Sequence, residues 1–300
     1  MIPRWLKQGV SFALDLNDRF GRHYGWAMAS HIALSVLLAV FPFLIVVVAL
    51  TSFLSTPEAA SQVVRLAFEN WPPAVAETFS SQLTQVLHNQ SGGLLTFGIV
   101  LLIWSSSSGV EALRLALDSA YGTQEARSWW LLRLESLAFV LLGALAMFVL
   151  TGAVVLYPII WDAAIHALPL VRRFAFVSTI GRFALSGAFL LVALVVFHVW
   201  LPYGRRRLVA VLPGVGLTLL LWLLIATGFG YYLGHFSNYA ATYAGLGGII
   251  AAILFLYFNS VVFILGAEFN AALADRRKAR REAVAAAAPE VAAPPAKLRA

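Results

Sequence analysis

Apolar residues gather along this chain into six long stretches, His31–Leu54, Leu94–Val110, Ser136–Tyr157, Phe183–Leu201, Leu208–Leu233 and Leu246–Ala272. Loops of unequal length and basic content separate them. A run of about 20 apolar residues crosses a hydrocarbon core as a helix, because the helix pairs every backbone N–H and C=O where no water can. The pattern predicts an all-α polytopic membrane protein with six transmembrane helices. Residues 1–275 form the membrane domain and 276–300 a basic, then Ala/Pro-rich, disordered tail.

The loops differ in basic residues, and the difference sets orientation. Arg4, Lys7, Arg19 and Arg22 precede the first span, whereas the next loop holds only Arg65. Arg114, Arg127 and Arg133 flank the second connection; Arg172 and Arg173, with Arg182 at the span boundary, mark the third. Arg205, Arg206 and Arg207 fill the short fourth connection, the fifth has none, and Arg276, Arg277, Lys278, Arg280 and Arg281 open the tail. By the positive-inside rule both termini are cytoplasmic. The net charge of +7 follows from this topology and from attraction to anionic lipid headgroups. The bases interleave with the spans and form no single patch, so no nucleic-acid partner is expected.

Two segments outside the spans carry helical periodicity. Trp5, Leu6, Ala13, Leu16 and Phe20, interspersed with charge, predict an N-terminal interfacial helix. Between the first two spans, Thr56-Pro57-Glu58 reads as a helix start, Trp71-Pro72-Pro73 as a break, and Val75, Phe79, Leu83, Val86 and Leu87 as an amphipathic stripe. Short helices over the outer mouth are expected there. The composition, 61% hydrophobic and 12% charged, agrees with a membrane protein. The absence of cysteine excludes disulfides, thiolate metal sites and thiol nucleophiles. The polar N-terminus and long first span predict insertion without a cleavable signal.

Polar groups inside or beside the spans are the candidates for function, since lipid exposure makes them costly. Ser105, Ser106, Ser107 and Ser108 interrupt the second span, with Glu111, Arg114 and Asp118 on one helical face beyond them. Two readings stand: a partly unwound helix lining a substrate path, or small residues that let helices approach, with Glu111–Arg114 an ion pair. Under the predicted topology Glu111, His198 and Glu268 end their helices at the depth where His31 and Glu135 begin theirs. These five groups either line a cytoplasmic gate, with Arg114, Arg205, Arg206 and Arg207 attracting an anionic headgroup, or each sits separately at headgroup level. Asn259 and Asn270, about three turns apart, share one face of the sixth helix, and Glu268 lies opposite Asn259, so that helix is expected to be central. Pro42 predicts a kink in the first span. Gly245, Gly247 and Gly248 read either as a hinge beside the charge-free segment His235–Tyr243 or as a close helix contact.

Several stretches together resemble one family. His31-Ile32-Ala33-Leu34-Ser35 through Phe41-Pro42-Phe43-Leu44 and Trp104-Ser105-Ser106-Ser107-Ser108-Gly109-Val110 with Ala120-Tyr121-Gly122 are similar to the first and second spans of the YihY/BrkB family of bacterial inner-membrane proteins. Leu201-Pro202-Tyr203, Leu212-Pro213-Gly214, Tyr243-Ala244-Gly245-Leu246-Gly247-Gly248 and Gly266-Ala267-Glu268-Phe269-Asn270 follow in the family's order. His31 and the tail depart from its pattern. The resemblance implies a multi-pass protein of the bacterial inner membrane connected with the envelope and its lipids, and it points toward transport. The family once bore a ribonuclease label, which the residues do not support: six histidines stand singly, with no metal-ligand spacing. The expectation is a non-enzymatic carrier of an amphiphilic or anionic, lipid-like envelope molecule, with no cofactor and no metal. The alternative is a non-transporting scaffold that partners envelope-assembly proteins.

Overall fold

The computed structural model describes residues 3–54, 92–143, 175–235 and 246–287, and among these every regular element is a helix. We number them α1 (Arg4–Arg22), α2 (Gly25–Leu54), α3 (Gly92–Tyr121), α4 (129–143), α5 (Ala175–Trp200), α6 (Leu208–His235) and α7 (Leu246–Ala287). Among the described residues three segments are long and apolar enough to cross a membrane: Thr96–Tyr121, Leu208–Tyr232 and Ile250–Ala286. Shorter apolar segments lie at Gly25–Ala39 and Gly187–Trp200. The expected helices between the first two spans lie outside the described residues, as do most of the third span, the segment 236–244 and Gly245.

Outward faces of the long helices are apolar. Leu220, Leu223 and Leu224 on α6 and Phe97, Val100 and Trp104 on α3 are exposed at helical spacing. In water such contiguous surfaces would associate; against lipid they are the required solvent match. The interior is built from small residues. Ala29 and Ala33 on α2, Ala112, Ala116 and Ala120 on α3, and Ala267 and Ala272 on α7 are all buried. Small side chains let membrane helices approach until dispersion contacts replace a hydrophobic driving force that lipid cannot supply. Leu117, Leu201, Phe263 and Ile264 fill the remaining space.

α7 is the hub, packing against α1, α2, α3 and α6. Its 42 residues give it a length of about 63 Å. It runs helically through Arg276–Arg281 to Ala287, where the sequence pattern predicted a disordered tail after residue 275. α1 supplies part of the reason: Phe12 meets Phe269 edge-on at 5.4 Å, Arg276 lies over the Phe12 ring, and Arg19 pairs with Asp275 at 2.8 Å. α1 is amphipathic as predicted, burying Leu16 and Phe20 while Leu6, Val10 and Leu14 remain exposed.

α6 and α7 meet backbone to backbone. A Cβ on Gly214 would fall on the carbonyl oxygen of Gly266, and one on Gly266 would fall on Thr218 Oγ1. Pro213 lies inside α6 one residue earlier. A proline there lacks an N–H and crowds the carbonyl four residues back. Asn270 of α7 closes this loosened turn: its Oδ1 accepts from the Gly214 N–H (2.6 Å) and its Nδ2 donates to Val211 O (2.9 Å).

α3 is unbroken through Ser105–Ser108, so the expected unwinding is absent. Ser107 and Ser108 both donate to Trp104 O at 2.9 Å, and Ser107 is buried. The run bonds back onto its own helix, and α3 passes α2 there, where a Cβ on Gly109 would make an ordinary 3.8 Å contact with Ser35. Pro42 lies within a continuous α2, and Gly247 and Gly248 lie in the first turn of α7.

Candidate polar sites at the basic end

The sequence-predicted groups divide into separate clusters and do not meet in one vestibule. The first joins α3, the following loop and α4. Arg114 is buried in α3, where a lone guanidinium would be prohibitively costly. It donates to Ser136 Oγ (2.7 Å) and Leu132 O (3.0 Å) and lies 3.7 Å from Glu135. Glu111 pairs with Arg133 at 2.7 Å, and Arg133 also covers the Trp104 ring. The expected Glu111–Arg114 pair is therefore not formed: each finds its partner on α4, 22 residues further along the chain. Asp118 turns instead to the α5–α6 connection, its Oδ1 accepting from the Tyr203 N–H (2.7 Å) and from Thr123 Oγ1 (2.8 Å).

Arg127 ties the loop together. Its guanidinium donates to both carboxylate oxygens of Glu125 (2.9 and 2.6 Å), to Glu135 Oε2 (2.6 Å) and to Leu201 O (3.2 Å). Charge-assisted bonds of this bidentate kind hold Glu125 below the usual carboxylate range and raise Arg127. A carboxyl depressed in the folded state binds fewer protons folded than unfolded. Its stabilisation is complete above the unfolded value of about 4.3 and is lost as pH falls through the lower folded value. The melting-temperature gap between wild type and Glu125→Gln in detergent is expected to be open at neutral pH and to close in acid below about pH 4. A gap that stays constant down to about pH 3 would count against the Arg127 bridge.

The second cluster joins α1 and α7. Glu268 is fully buried, and His23 Nδ1 donates to its Oε1 at 2.6 Å. Ser119 of α3 caps the same corner by donating to His23 O (3.2 Å). His31, the histidine expected at this level, is exposed on α2 and takes no part. The distinction lay in the α1–α2 corner, where Tyr24 adopts a left-handed φ of 56° and turns His23 beneath the bundle. His198 stands alone: buried, donating from Nδ1 to Leu194 O (2.8 Å), with its ring tilted against Phe263 at 4.9 Å. Asn259 is half-buried and bonds back to Phe255 O (2.7 Å), while Asn270 serves the Pro213 turn and also reaches Tyr121 Oη (3.4 Å).

Beside the second cluster, a cavity of about 330 Å³ opens between α1, α3, α6 and α7. Arg19, His23, Tyr121, Arg206, Asn270 and Asp275 supply its polar lining. Of the predicted candidates it includes Arg206 and Asn270, but neither Ser105–Ser108 nor Glu111. Arg205 lines a separate, more open depression with Arg127, Glu135 and Tyr203. Sequence reasoning missed His23, Tyr121 and Asp275. The only available signal was the recurrence of Asp15, Arg19 and His23 four residues apart on α1, which reads equally well as a solvated face. Among the described residues no group of His, Asp or Glu side chains is arranged to hold a metal ion.

Long apolar helices, lipid-matching outer faces and ion pairs collected at helix ends define an all-helical membrane protein. The chain belongs to the family described as Virulence factor BrkB, whose model matches residues 16–291. It is 33% identical over 270 residues to YfkH of Bacillus subtilis (strain 168), named as ribonuclease-like; the match covers 90% of this chain and 97% of that protein. It is 26% identical to a UPF0761 membrane protein of Tolumonas auensis, over 83% of this chain and 80% of the relative. A longer UPF0761 membrane protein of Alkalilimnicola ehrlichii is also 26% identical, over 93% of this chain but 62% of the relative. No solved structure matches.

Proposed function

We propose that this protein is a six-span inner-membrane carrier for an anionic, amphiphilic envelope molecule, with both termini in the cytoplasm. The observation that carries the reading is the polar cavity at the basic end of the bundle, where Arg206 faces an opening between helices whose outer surfaces suit lipid. A lipid-like substrate needs such a junction of charge and apolar wall. The basic residues that follow α3, precede α6 and follow Glu268 on α7 lie on one side under the positive-inside rule. His23 lines the cavity with Glu268 buried behind it, and in this scheme the pair acts as the gate. Ser105–Ser108 and Glu111 belong to helix packing and to the α3–α4 ion pair in this scheme.

The scaffold reading has its own support. Glu111, Arg114, Glu135, Asn259 and Asn270 each have a local partner, as expected of polar groups that hold helices together.

Reconstitution distinguishes the two. Purified protein in phosphatidylcholine vesicles carrying a fluorescent anionic phospholipid is expected to accelerate its movement between leaflets, read by the fraction open to an external quencher. Glu268→Gln should slow that movement by about tenfold or more, the equivalent of one lost charge-assisted contact. Glu111→Gln should leave the rate unchanged. Rates equal to those of protein-free vesicles would favour the scaffold, and a wild-type rate in Glu268→Gln would remove the gate.

A further inference from the structure

We propose that the cavity between α1, α3, α6 and α7 is a phosphate site, taking the phosphate of an anionic lipid headgroup or of a soluble phosphate ester on the Arg206 guanidinium. The charge balance of the lining leads to this chemistry. Arg19 is committed to Asp275 at 2.8 Å and approaches Asp15 at 3.5 Å. His23 is committed to Glu268. Arg206 has no carboxylate partner among the described residues; its guanidinium is held over the Tyr121 ring at 4.5 Å, and its buried Nε has no acceptor. One cation is therefore left over, aimed at open space and already oriented by the ring beneath it. The ring contact holds the guanidinium in place while leaving N–H groups free, and a guanidinium so held can grip a phosphate with two parallel hydrogen bonds.

The neutral groups around it suit the same ligand. Tyr121 Oη receives a long 3.4 Å hydrogen bond from Asn270 and keeps its own proton to donate. Asp275, the acidic residue in the lining, is neutralised by Arg19, so it does not cancel Arg206. The volume of about 330 Å³ lies at the lower end of the roughly 300–1,000 Å³ usual for small-molecule sites. It holds a headgroup and excludes acyl chains, which would lie along the apolar outer walls. This deepens the carrier reading by naming the group that docks, and it rests on that reading for its physiological meaning.

The test uses full-length protein in phosphatidylcholine nanodiscs, titrated by calorimetry with dioctanoyl phosphatidate and, separately, with inorganic phosphate. Wild type is expected to bind at least one probe, and Arg206→Gln to bind at least about tenfold more weakly. Tyr121→Phe, which keeps the ring but removes the hydroxyl, should weaken binding about fivefold. Arg277→Gln, an exposed arginine on α7 away from the cavity, should bind as wild type does. Stronger binding of phosphatidate assigns the site to a lipid headgroup, and equal binding of inorganic phosphate assigns it to a soluble ester; both support phosphate recognition. The proposal is overturned if wild type binds neither probe, if Arg206→Gln and Tyr121→Phe both bind normally, or if Arg277→Gln weakens binding as much as Arg206→Gln. Arg206-dependent binding without leaflet exchange would retire the carrier and leave this site standing. Leaflet exchange without such binding would do the reverse.

Discussion

Gly214→Ala is expected to separate α6 from α7 and to leave little folded protein. The added methyl would occupy the position of the Gly266 carbonyl oxygen, which is backbone and cannot rotate away. Overpacking a tight interior costs about 1–3 kcal/mol when side chains can yield. Here relief requires moving a whole helix, so the cost should reach or exceed the top of that range. Gly266→Ala meets Thr218 Oγ1 and the Gly214 carbonyl from the other side and should behave similarly. Gly216→Ala provides the contrast: nothing lies within 4 Å of the place its methyl would take, and alanine favours a helix over glycine by up to about 1 kcal/mol. Thermal denaturation of detergent-purified protein, followed by monodisperse elution after heating, would rank the three. Equal melting for Gly214→Ala and Gly216→Ala would show that the helices do not touch where described.

Asn270→Ala should have the second largest effect, and the reason is proline. With Asn270 gone, the Gly214 N–H and the Val211 carbonyl each lose a side-chain partner beside the cavity that Asn270 and Val211 line. A lost intramolecular hydrogen bond costs about 0.5–1.5 kcal/mol, so the two together should cost roughly 1–3 kcal/mol. Pro213→Ala returns an N–H to the helix and relieves the crowding that opened the turn. The two substitutions should therefore be non-additive, with Asn270→Ala cheaper by about 1–2 kcal/mol when Pro213 is already alanine. Stability measured across this four-member cycle tests the idea, and strict additivity would mean that Asn270 serves some purpose unrelated to Pro213. Asn270 would then be free to act mainly on the cavity it lines.

Membership in the BrkB family settles a membrane location in kind, and the ribonuclease-like wording stays with the Bacillus subtilis relative that bears it. What the geometry adds is a division of labour among the polar residues. Arg114, Arg127 and Arg133 hold α3 to α4 and the α5–α6 turn, whereas Arg206 is held by an aromatic ring alone. Charge at the basic end thus has two uses, one structural and one left open to a ligand.

Much was legible in the residues alone, because lipid imposes a simple demand. A backbone without water must be helical, so apolar length located α6, and it located α7 up to the onset of its basic run. The periodicity of α1 and the central place of α7 followed from where Trp5–Phe20 and Asn259–Asn270 put their polar and apolar faces. Partnership was not legible. Glu111 and Arg114 share a helical face, yet each binds a residue 22 positions away on α4. The choice of His23 over His31 depended on one left-handed corner at Tyr24. Small residues were ambiguous by nature: Ser105–Gly109 fits an unwound path and a tight contact equally well, and only the position of α2 separates them. Solvent acts on each segment independently and so writes itself into local pattern. Ion pairs, cavities and glycine contacts arise between segments far apart in the chain, and they exist only once the helices have met.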